Sequence, residues 1–230
     1  MTVTCVIPAR MGSSRFPGKP LKKILGRELL LHVCDIAKES ELVDNIIVAT
    51  EDIEIQKVVL DAGYKCALTP SFPSCTHRVS LIAQHLADTD YIVNLQGDEP
   101  CVTSQMLDDI IQHTIDNDFK VVQATYELDY TDIQNEDIVK AVINNDRVIN
   151  LTRVPEIICN NLKGIAGLYV YTHTAICNYP GLDLGLVEAW KGLDTFGFIG
   201  AYPVVPFDLP YRTHAVDRPI DISIVEAKLS

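Results

Sequence analysis

The sequence predicts an α/β fold in which a largely parallel sheet is followed by antiparallel strands. Through residue 118, short apolar runs alternate with segments of helical spacing, as in the crossover units that join parallel strands. After Phe119, extended segments follow one another with few helices between them, which is typical of antiparallel pairing and indicates a smaller lobe. The length of 230 residues suits one domain.

Each element of the first part has its own signal. Apolar runs that end at turns predict strands over residues 3–7, 45–50, 64–68 and 91–96. An apolar stripe made of Leu30, Val33, Cys34 and Ala37 predicts a helix over residues 29–39. Helices are also predicted over residues 53–62, 76–86 and 104–115, and Gly63 ends the first of these.

The second part is predicted to contain strands over residues 120–128, 138–144, 147–152 and 166–172, and helices over residues 184–193 and 220–229. In open parallel sheets, ligands bind outside the carboxyl ends of the strands. Two loops take such positions, residues 7–21 after the first strand and residues 97–100 after the fourth. We therefore expect the functional site between these loops.

The composition excludes several classes of function. A formal net charge of −12 argues against nonspecific binding to nucleic acid or to anionic membranes. We find no signal-peptide pattern at the start and no apolar run long enough to span a membrane. The seven cysteines are scattered without a C-x-x-C pair, so we expect reduced thiols in a cytoplasmic protein.

The loop IPARMGSSRFPGKPL, residues 7–21, concentrates positive charge in this acidic protein. It carries Arg10, Arg15 and Lys19, and Lys22 follows directly. Arginine offers paired donors to phosphate oxygens, lysine offers a mobile charge, and glycine lets backbone N–H groups approach an anion. The alternative is a solvated surface loop. The loop directly follows the first strand, where open parallel sheets bind ligands, and this position favours polyphosphate binding.

This loop matches neither common phosphate-binding pattern. Gly12 and Gly18 are one residue too far apart for G-x-x-x-x-G-K-[ST], and Pro20 follows Lys19 where that pattern has a hydroxyl. The loop is not G-x-G-x-x-G either, which argues against a nicotinamide dinucleotide site.

Three stretches together resemble a known enzyme family. IPARMGSSRFPGKPL, NLQGDEP (residues 94–100) and VDRPIDI (residues 216–222) have the order and spacing seen in the 3-deoxy-manno-octulosonate cytidylyltransferases, or CMP-KDO synthetases. The resemblance implies transfer of CMP from CTP to the anomeric hydroxyl of an eight-carbon sugar acid, with release of pyrophosphate. It also implies magnesium, a nucleotide-diphosphosugar-transferase-like fold, a homodimer formed through the smaller lobe, and a role in lipopolysaccharide biosynthesis.

The resemblance further implies how the single domain, residues 1–230, is divided. Residues 1–118 bind the nucleotide, residues 119–215 hold the acceptor site and dimerisation strands, and residues 216–230 form a metal loop and helix. The triphosphate neighbours are Arg10, Ser13, Arg15 and Lys19, the cytidine neighbours are Pro8, Ala9, Arg78 and Gln96, and the acceptor neighbours are Tyr169 and Glu188. The expected catalytic set is Arg10, Lys19, Asp98 and Asp217.

Asp98 and Asp217 are the expected magnesium ligands, since the family places a metal-binding aspartate at each position. Magnesium is commonly held by one or two carboxylates together with substrate phosphates. The structural alternatives are a turn residue for Asp98 and a helix cap for Asp217. Glu99 stays unassigned, and we expect Asp221 to be a solvated acid in the first turn of the last helix.

The acceptor side departs from the family pattern. Ile165 stands where the family has a histidine near the sugar, and Lys191 and Asp194 replace a glutamate and an arginine. A polar site rejects substrates that leave its groups unpaired, so these changes indicate an altered acceptor. A 3-deoxy-manno-octulosonate-type acid is the first expectation; an 8-amino or other modified octulosonate, another nonulosonate and a phosphonate are alternatives. His77 could serve as a proton acceptor, but we interpret it as a partly exposed residue at the start of a helix.

Two other classes of function stay open. A nucleotide-sugar glycosyltransferase would use a D-x-D metal pair, and D-T-D occurs at residues 88–90, but before the fourth strand rather than after it. A noncatalytic nucleotide-binding module is the other, although such a module has no physical need for two metal ligands.

Overall fold

The computed structural model describes residues 1–72, 74–155, 161–182, 185 and 193–230. Its strands are β1 (Val3–Ala9), β2 (Lys23–Ile24), β3 (Arg27–Glu28), β4 (Asn45–Thr50), β5 (Lys65–Leu68), β6 (Tyr91–Leu95), β7 (Val121–Glu127), β8 (Lys140–Asn144), β9 (Arg147–Thr152), β10 (Leu162–Thr172) and β11 (Val204–Asp208). Its helices are α1 (Leu29–Glu39), α2 (Ile53–Asp61), α3 (Cys75–Ala83), α4 (Ser104–Asp116), α5 (Tyr130–Ile133), α6 (His173–Asn178) and α7 (Asp221–Leu229).

A mixed sheet organises this part of the chain. Its main order is β11-β7-β10-β6-β1-β4-β5, with the β8–β9 hairpin attached to β10. β1 runs parallel to both β4 and β6, and β7 runs parallel to β11. β10 lies between β6 and β7 and is antiparallel to both. The predicted α/β class with a mixed, mostly parallel sheet is confirmed.

The second half joins this sheet more fully than the sequence indicates. β7 was expected among antiparallel strands of a smaller lobe, yet it shares the direction of β6, because β10 is antiparallel to both. β10 also begins earlier than predicted, at Leu162. Its first residues, Leu162–Gly164, pair with β8. The small antiparallel part is therefore an extension of the main sheet.

Two elements of the second half lack the sequence patterns that predict strands and helices. β11 carries Pro206, and proline within an apolar run argues against a strand. β11 is an edge strand, where a missing N–H is tolerated. α6 has only six residues, too few to show the repeating apolar pattern by which a helix is recognised in a sequence. The helix predicted over residues 184–193 lies outside the described residues except for Gly185 and Leu193.

Helices cover both faces of the sheet. Cys5 and Ile7 of β1 share one apolar core with residues of α1 and α4, whereas Val6 points into a second core with residues of α3 and α6. This alternation follows from the two-residue repeat of a strand. Among the described helices, none combines the length and the apolar character needed to cross a membrane. Cysteines of the described part, such as Cys5 and Cys34, are free thiols, and Cys159 lies outside it.

Strand direction determines where the loops meet. β1, β6, β7 and β11 run the same way, so the loops that follow them lie at one edge of the sheet. The antiparallel β10 begins at this edge, and Gly167 of β10 accepts a hydrogen bond from the Gln96 N–H just after β6 (2.7 Å). Residues far apart in sequence thereby face one another across a single cleft.

Gly164 provides a test of how tightly this edge is packed. A Cβ atom at Gly164 would lie 2.3 Å from Cε2 of the buried Tyr126 ring. We expect Gly164→Ala to lower the free energy of unfolding by about 1–3 kcal/mol, because the ring has little room to move. Denaturant unfolding measures this. Gly181→Ala is the control, since nothing lies within 4 Å of that Cβ position. Equal midpoints for the two variants would contradict the packing.

Candidate functional site

A cleft of about 420 Å³ opens at the carboxyl edge of the sheet. It gathers most of the residues selected from the sequence. Those that line it are Pro8, Ala9, Arg10, Ser13, Arg15, Lys19, Gln96, Asp98, Tyr169 and Asp217. Glu188 lies outside the described residues, as do Trp190 and Lys191.

The cationic loop after β1 is shaped by its own backbone. The carbonyl of Met11 accepts hydrogen bonds from the N–H groups of Ser13 (2.9 Å) and Gly18 (3.0 Å). The Met11 N–H donates to Asp52 Oδ2 (2.7 Å), which ties the loop to the residue preceding α2. Gly18 has φ of 72°, a left-handed conformation that glycine adopts without strain. This turn directs Lys19 into the cleft.

Lys19 joins the two aspartates selected as metal ligands. Its Nζ donates to Asp98 Oδ2 (2.6 Å), to the carbonyl of Val216 (2.7 Å) and to Asp217 Oδ1 (3.3 Å). Burial lowers the pKa of the ammonium, but attraction to the two carboxylates outweighs burial and raises it. Both carboxylates thus converge on one positive group. Oxygen ligands that converge in this way fit a hard divalent cation such as Mg²⁺.

Arg15 extends this ionic network across the cleft. It donates to Asp217 Oδ1 and to Asp137 Oδ1, each at 2.7 Å. Asp137 lies between α5 and β8 and also accepts from Arg218 Nε (2.7 Å). Hydrogen bonds from Arg218 and then Arg15 lower the pKa of Asp137 to about 2. By contrast, Arg10 is exposed, and the described part of the chain offers it no hydrogen bond or ion pair.

Asp221 is less exposed than the solvated acid that the sequence predicts, and it accepts hydrogen bonds from the backbone of the preceding loop. It lies in the first turn of α7, as expected, but its side chain is only 15% exposed. Oδ2 accepts hydrogen bonds from the N–H groups of Asp217 (2.8 Å) and Arg218 (2.7 Å). His214 Nε2 lies 3.2 Å from the other oxygen. The expectation of a solvated side chain was wrong, because the loop folds back over the helix N-terminus.

Arg78 is buried beneath the cleft and is not part of its lining. Its guanidinium donates to the carbonyl of Ala9 (3.2 Å) and to Thr69 Oγ1 (3.0 Å), and it lies 3.1 Å from a carboxylate oxygen of Glu51. Its side chain is 2% exposed. The described structure therefore places Arg78 where it supports the backbone of the cationic loop.

Glu99 is a buried carboxylate in the wall of the cleft. Its Oε1 accepts the N–H of Gly167 on β10 (2.7 Å). Burial, and then the charge of Asp98, raise its pKa to about 7. The approach is close, since a Cβ atom on Gly167 would lie 2.9 Å from the side chain of Glu99. Glu99 thus links the loop of Asp98 to the strand that carries Tyr169.

Ile165, Tyr169 and Asp194 also line the cleft. Burial raises the pKa of the Tyr169 phenol, and the charges of Asp194 and Glu99 add to this effect. Arg153 and Arg212 also line the cleft. Arg212 forms an ion pair with the buried Asp132, and its Nε is buried without a hydrogen-bond partner in the described residues.

Two features weighed from the sequence lie away from the cleft. His77 is in the first turn of α3, with Nδ1 2.9 Å from Ser74 Oγ and its ring edge-on to Tyr179, and it does not line the cleft. The D-T-D stretch, residues 88–90, precedes β6 at the opposite edge of the sheet. Asp90 there accepts the N–H of Thr2 (2.7 Å). A metal pair of the glycosyltransferase kind is not formed by these residues.

Comparison with known proteins agrees with this geometry. The sequence profile described as "Cytidylyltransferase" matches residues 4–161. The chain belongs to the cytidylyltransferase family. It is therefore a nucleotidyltransferase, and its cationic loop and the loop of Asp98 both lie within the matched region.

Relatives of this family match nearly the whole chain. A 3-deoxy-manno-octulosonate cytidylyltransferase of Nitratidesulfovibrio vulgaris is 35% identical, over 96% of this chain and 94% of the relative. An 8-amino-3,8-dideoxy-manno-octulosonate cytidylyltransferase of Shewanella pealeana is 31% identical, over 100% and 99%. A solved CMP:2-keto-3-deoxy-manno-octonic acid synthetase complexed with CTP has a TM-score of 0.88 at 27% identity, covering 100% of this chain and 98% of that chain. The resemblance proposed from three short stretches is confirmed.

Sequence reasoning missed several residues of the cleft. Asp137, Arg153 and Arg212 were not selected from the sequence, and only the fold reveals that they line the cleft. The role of Asp221 could have been inferred from its spacing after Asp217. An acid four residues after a candidate metal ligand, in the first helical turn, is placed to hold the backbone of that ligand.

The raised pKa of Glu99 predicts a distinct pH dependence of stability. Its ordinary value is 4.5, so between about pH 4.5 and 7 the folded protein keeps a proton that the unfolded chain has lost. Unfolding free energy therefore falls as pH rises through this range, by at most about 3 kcal/mol. Glu99→Gln removes this contribution.

Denaturant unfolding of the metal-free protein, from about pH 4.5 to about pH 8, measures the difference between wild type and Glu99→Gln. The variant should gain stability relative to wild type toward high pH. Glu41→Gln, at an exposed position, is the control. A difference that is independent of pH would contradict the raised pKa.

Proposed function

We propose that this protein transfers CMP from CTP to a sugar acid of the 3-deoxy-manno-octulosonate type and releases pyrophosphate. The observation that carries this proposal is the convergence of Asp98 and Asp217 on the cationic loop at Lys19 Nζ. Two carboxylates beside an array of cations suit a metal-bound triphosphate. The printed name of the solved relative with bound CTP supports the nucleotide, and the names of the sequence relatives support the acceptor class.

The cations of the loop account for triphosphate binding in this proposal. Arg10, without a partner among the described residues, is free to donate to phosphate oxygens. Arg15 and Lys19 are engaged with carboxylates. We propose that they turn to the phosphates when the nucleotide binds, and that Ser13 adds a hydroxyl donor. We propose that Pro8, Ala9 and Gln96 frame the cytosine, with Arg78 acting through the Ala9 carbonyl, to which it donates.

Asp98 and Asp217 would hold the magnesium ion. When bound, the metal neutralises phosphate charge and aligns the triphosphate. The acceptor hydroxyl attacks the α-phosphorus in line and loses its proton to solvent, while the bond from the α-phosphorus to the bridging β-phosphate oxygen breaks and pyrophosphate leaves with that oxygen. Arg10 and Lys19 stabilise the negative charge that builds up on the leaving group. No covalent enzyme intermediate is needed.

The acceptor end of the cleft suits an acid. Arg153 and Arg212 line the cleft and supply positive charge to it, and arginine pairs well with carboxylates. Tyr169 offers a hydroxyl nearby, and Glu188 stays a predicted contact. Ile165 removes the polar contact that the family places at this position. A modified octulosonate, another nonulosonate or a phosphonate are the alternative acceptors. The cytoplasmic location also stays a prediction.

The transfer is tested by pyrophosphate release from CTP with magnesium and a panel of acids: KDO, its 8-amino analogue, sialic-type sugars and small phosphonates. We expect magnesium-dependent release with an octulosonate. Asp98→Asn and Asp217→Asn should each lower kcat at least about a hundredfold, because one metal ligand is weakened.

Asp61→Asn, at the exposed end of α2, is the control and should retain full activity. Isothermal titration of CTP gives an independent readout. Absence of CTP binding would overturn the proposal. CTP binding without magnesium dependence or transfer to any acid would favour a noncatalytic nucleotide-binding module.

We further propose a homodimer formed through the β8–β9 hairpin. β9 pairs only with β8 among the described strands and therefore leaves an open edge. Ile149 on this strand is 49% exposed. Open strand edges pair readily with a second chain unless they are covered or charged. A second copy of this protein would cover the edge.

Sedimentation measures the dimer directly. Wild type should have twice the 25.5 kDa mass of one chain, and Ile149→Lys should shift the population toward that single mass, since a buried lysine opposes the contact. Leu60→Lys on α2 is the matched control, because Leu60 is similarly exposed at 52%. A monomeric wild type, or equal effects of both substitutions, would refute this interface.

A further inference from the structure

Asp137 is a carboxylate in the cleft to which two arginines donate. It lies in the segment between α5 and β8 and lines the cleft. Its Oδ1 accepts a hydrogen bond from Arg15 of the cationic loop, and its Oδ2 accepts one from Nε of Arg218, each at 2.7 Å. Arg218 directly follows Asp217, a candidate metal ligand. Asp137 therefore connects the two loops that carry the proposed triphosphate and metal contacts, although the proposed transfer gives it no role.

Contacts other than those with Arg15 hold the segment of Asp137 in place. The Asp137 N–H donates to Asn135 Oδ1 (2.9 Å). The buried Lys140 donates from Nζ to the carbonyls of Asn135 (2.5 Å) and Arg153 (2.6 Å). Nη1 of Arg153 donates in turn to the carbonyl of the residue before Asp137 (3.0 Å). The Asp137 carboxylate is thus a prearranged acceptor for the cationic loop.

Arg15 has one partner that metal binding would leave in place. It donates from Nη2 to Asp217 and from Nη1 to Asp137. When Asp217 turns to a metal ion, Arg15 loses that partner and keeps Asp137. Lys19 differs, because the carboxylates that it contacts within the described part of the chain, those of Asp98 and Asp217, are both candidate metal ligands. A guanidinium is planar and rigid, so a bond at Nη1 restricts where Nη2 points.

The charges around Asp137 leave room for an anion. Arg15 and Arg218 share this one carboxylate, and two positive charges with one negative charge give a net charge of +1. The negative charge of Asp137 is therefore compensated before phosphate binds. An arginine that is already held loses less side-chain freedom when it binds a phosphate than a free arginine does.

We propose that Asp137 is a positioning residue for the triphosphate: it retains Arg15 through Nη1 and directs Nη2 to a phosphate oxygen once Asp217 has turned to the metal. This inference rests on the proposed cytidylyl transfer and adds to it a residue that acts through Arg15. Asp137 itself touches neither the phosphates nor the metal in this arrangement.

A double-mutant cycle on CTP binding tests the inference, with dissociation constants from isothermal titration in the presence of magnesium. Asp137→Ala should weaken CTP binding about fivefold to tenfold, since the phosphates alone must then order Arg15. Asp137→Asn keeps an acceptor oxygen and should lose less. Arg15→Gln should weaken binding by itself. Adding Asp137→Ala to Arg15→Gln should change the constant further by less than about twofold.

Asp35→Ala is the matched control. Asp35 on α1 also accepts two hydrogen bonds from one arginine, Arg27, and does not line the cleft. Its side chain is 34% exposed, against 29% for Asp137. This variant should bind CTP as wild type does. An equal loss in Asp35→Ala and Asp137→Ala would show a general effect of breaking an ion pair and would overturn the inference.

The remaining outcomes separate this inference from the proposed function. If wild type binds CTP and Asp137→Ala binds it equally well, the inference fails and the proposed transfer stands. Tighter binding by Asp137→Ala would show that Asp137 competes with the phosphates for Arg15. Losses that add in the double variant would show that Asp137 does not act through Arg15, and either result overturns the inference. Absence of CTP binding by wild type would overturn the proposed function and this inference together.

Discussion

The parallel pairing of β1 with β6 is the constraint on which the site depends. Because these neighbours run the same way, the cationic loop after β1 and the loop of Asp98 after β6 leave the sheet side by side. β7 and β11 share that direction, so their loops bring Asp137 and Asp217 to the same edge. The reversed strand β10 then places Tyr169 opposite them. The cleft is a consequence of strand direction rather than of any single segment.

Charge within the cleft is balanced pair by pair. Lys19 and Arg15 lie against Asp98, Asp217 and Asp137, although the protein as a whole carries a formal charge of −12. Such pairing holds the loops in place without ligand and limits the cost of burying isolated charges. The same pairing also prepares the site for an exchange of ionic partners. In the proposed function, a triphosphate would take over the cations and a divalent metal would take over the carboxylates.

The two ends of the cleft differ in their relation to the family. The nucleotide end retains the motifs that identify a cytidylyltransferase, and the fold confirms that these motifs meet. The proposed acceptor end includes β10 and the residue Asp194, and the sequence departs from the family pattern at Ile165 of β10 and at Asp194. Binding of the same nucleotide is therefore compatible with a change of acceptor, since the two ends are formed by different segments.

The sequence by itself determined the elements whose signal is local. The helix Leu29–Glu39 and the strand Asn45–Thr50 have the predicted bounds, because an apolar stripe or an apolar run identifies them without reference to distant residues. The motifs likewise identified the family and the two loops that line the cleft. Only the tertiary structure decided the direction of β7, the edge strand β11, and the positions of Arg212 and Asp221. These depend on strand pairing and on contacts between segments far apart in the chain, which local periodicity does not encode.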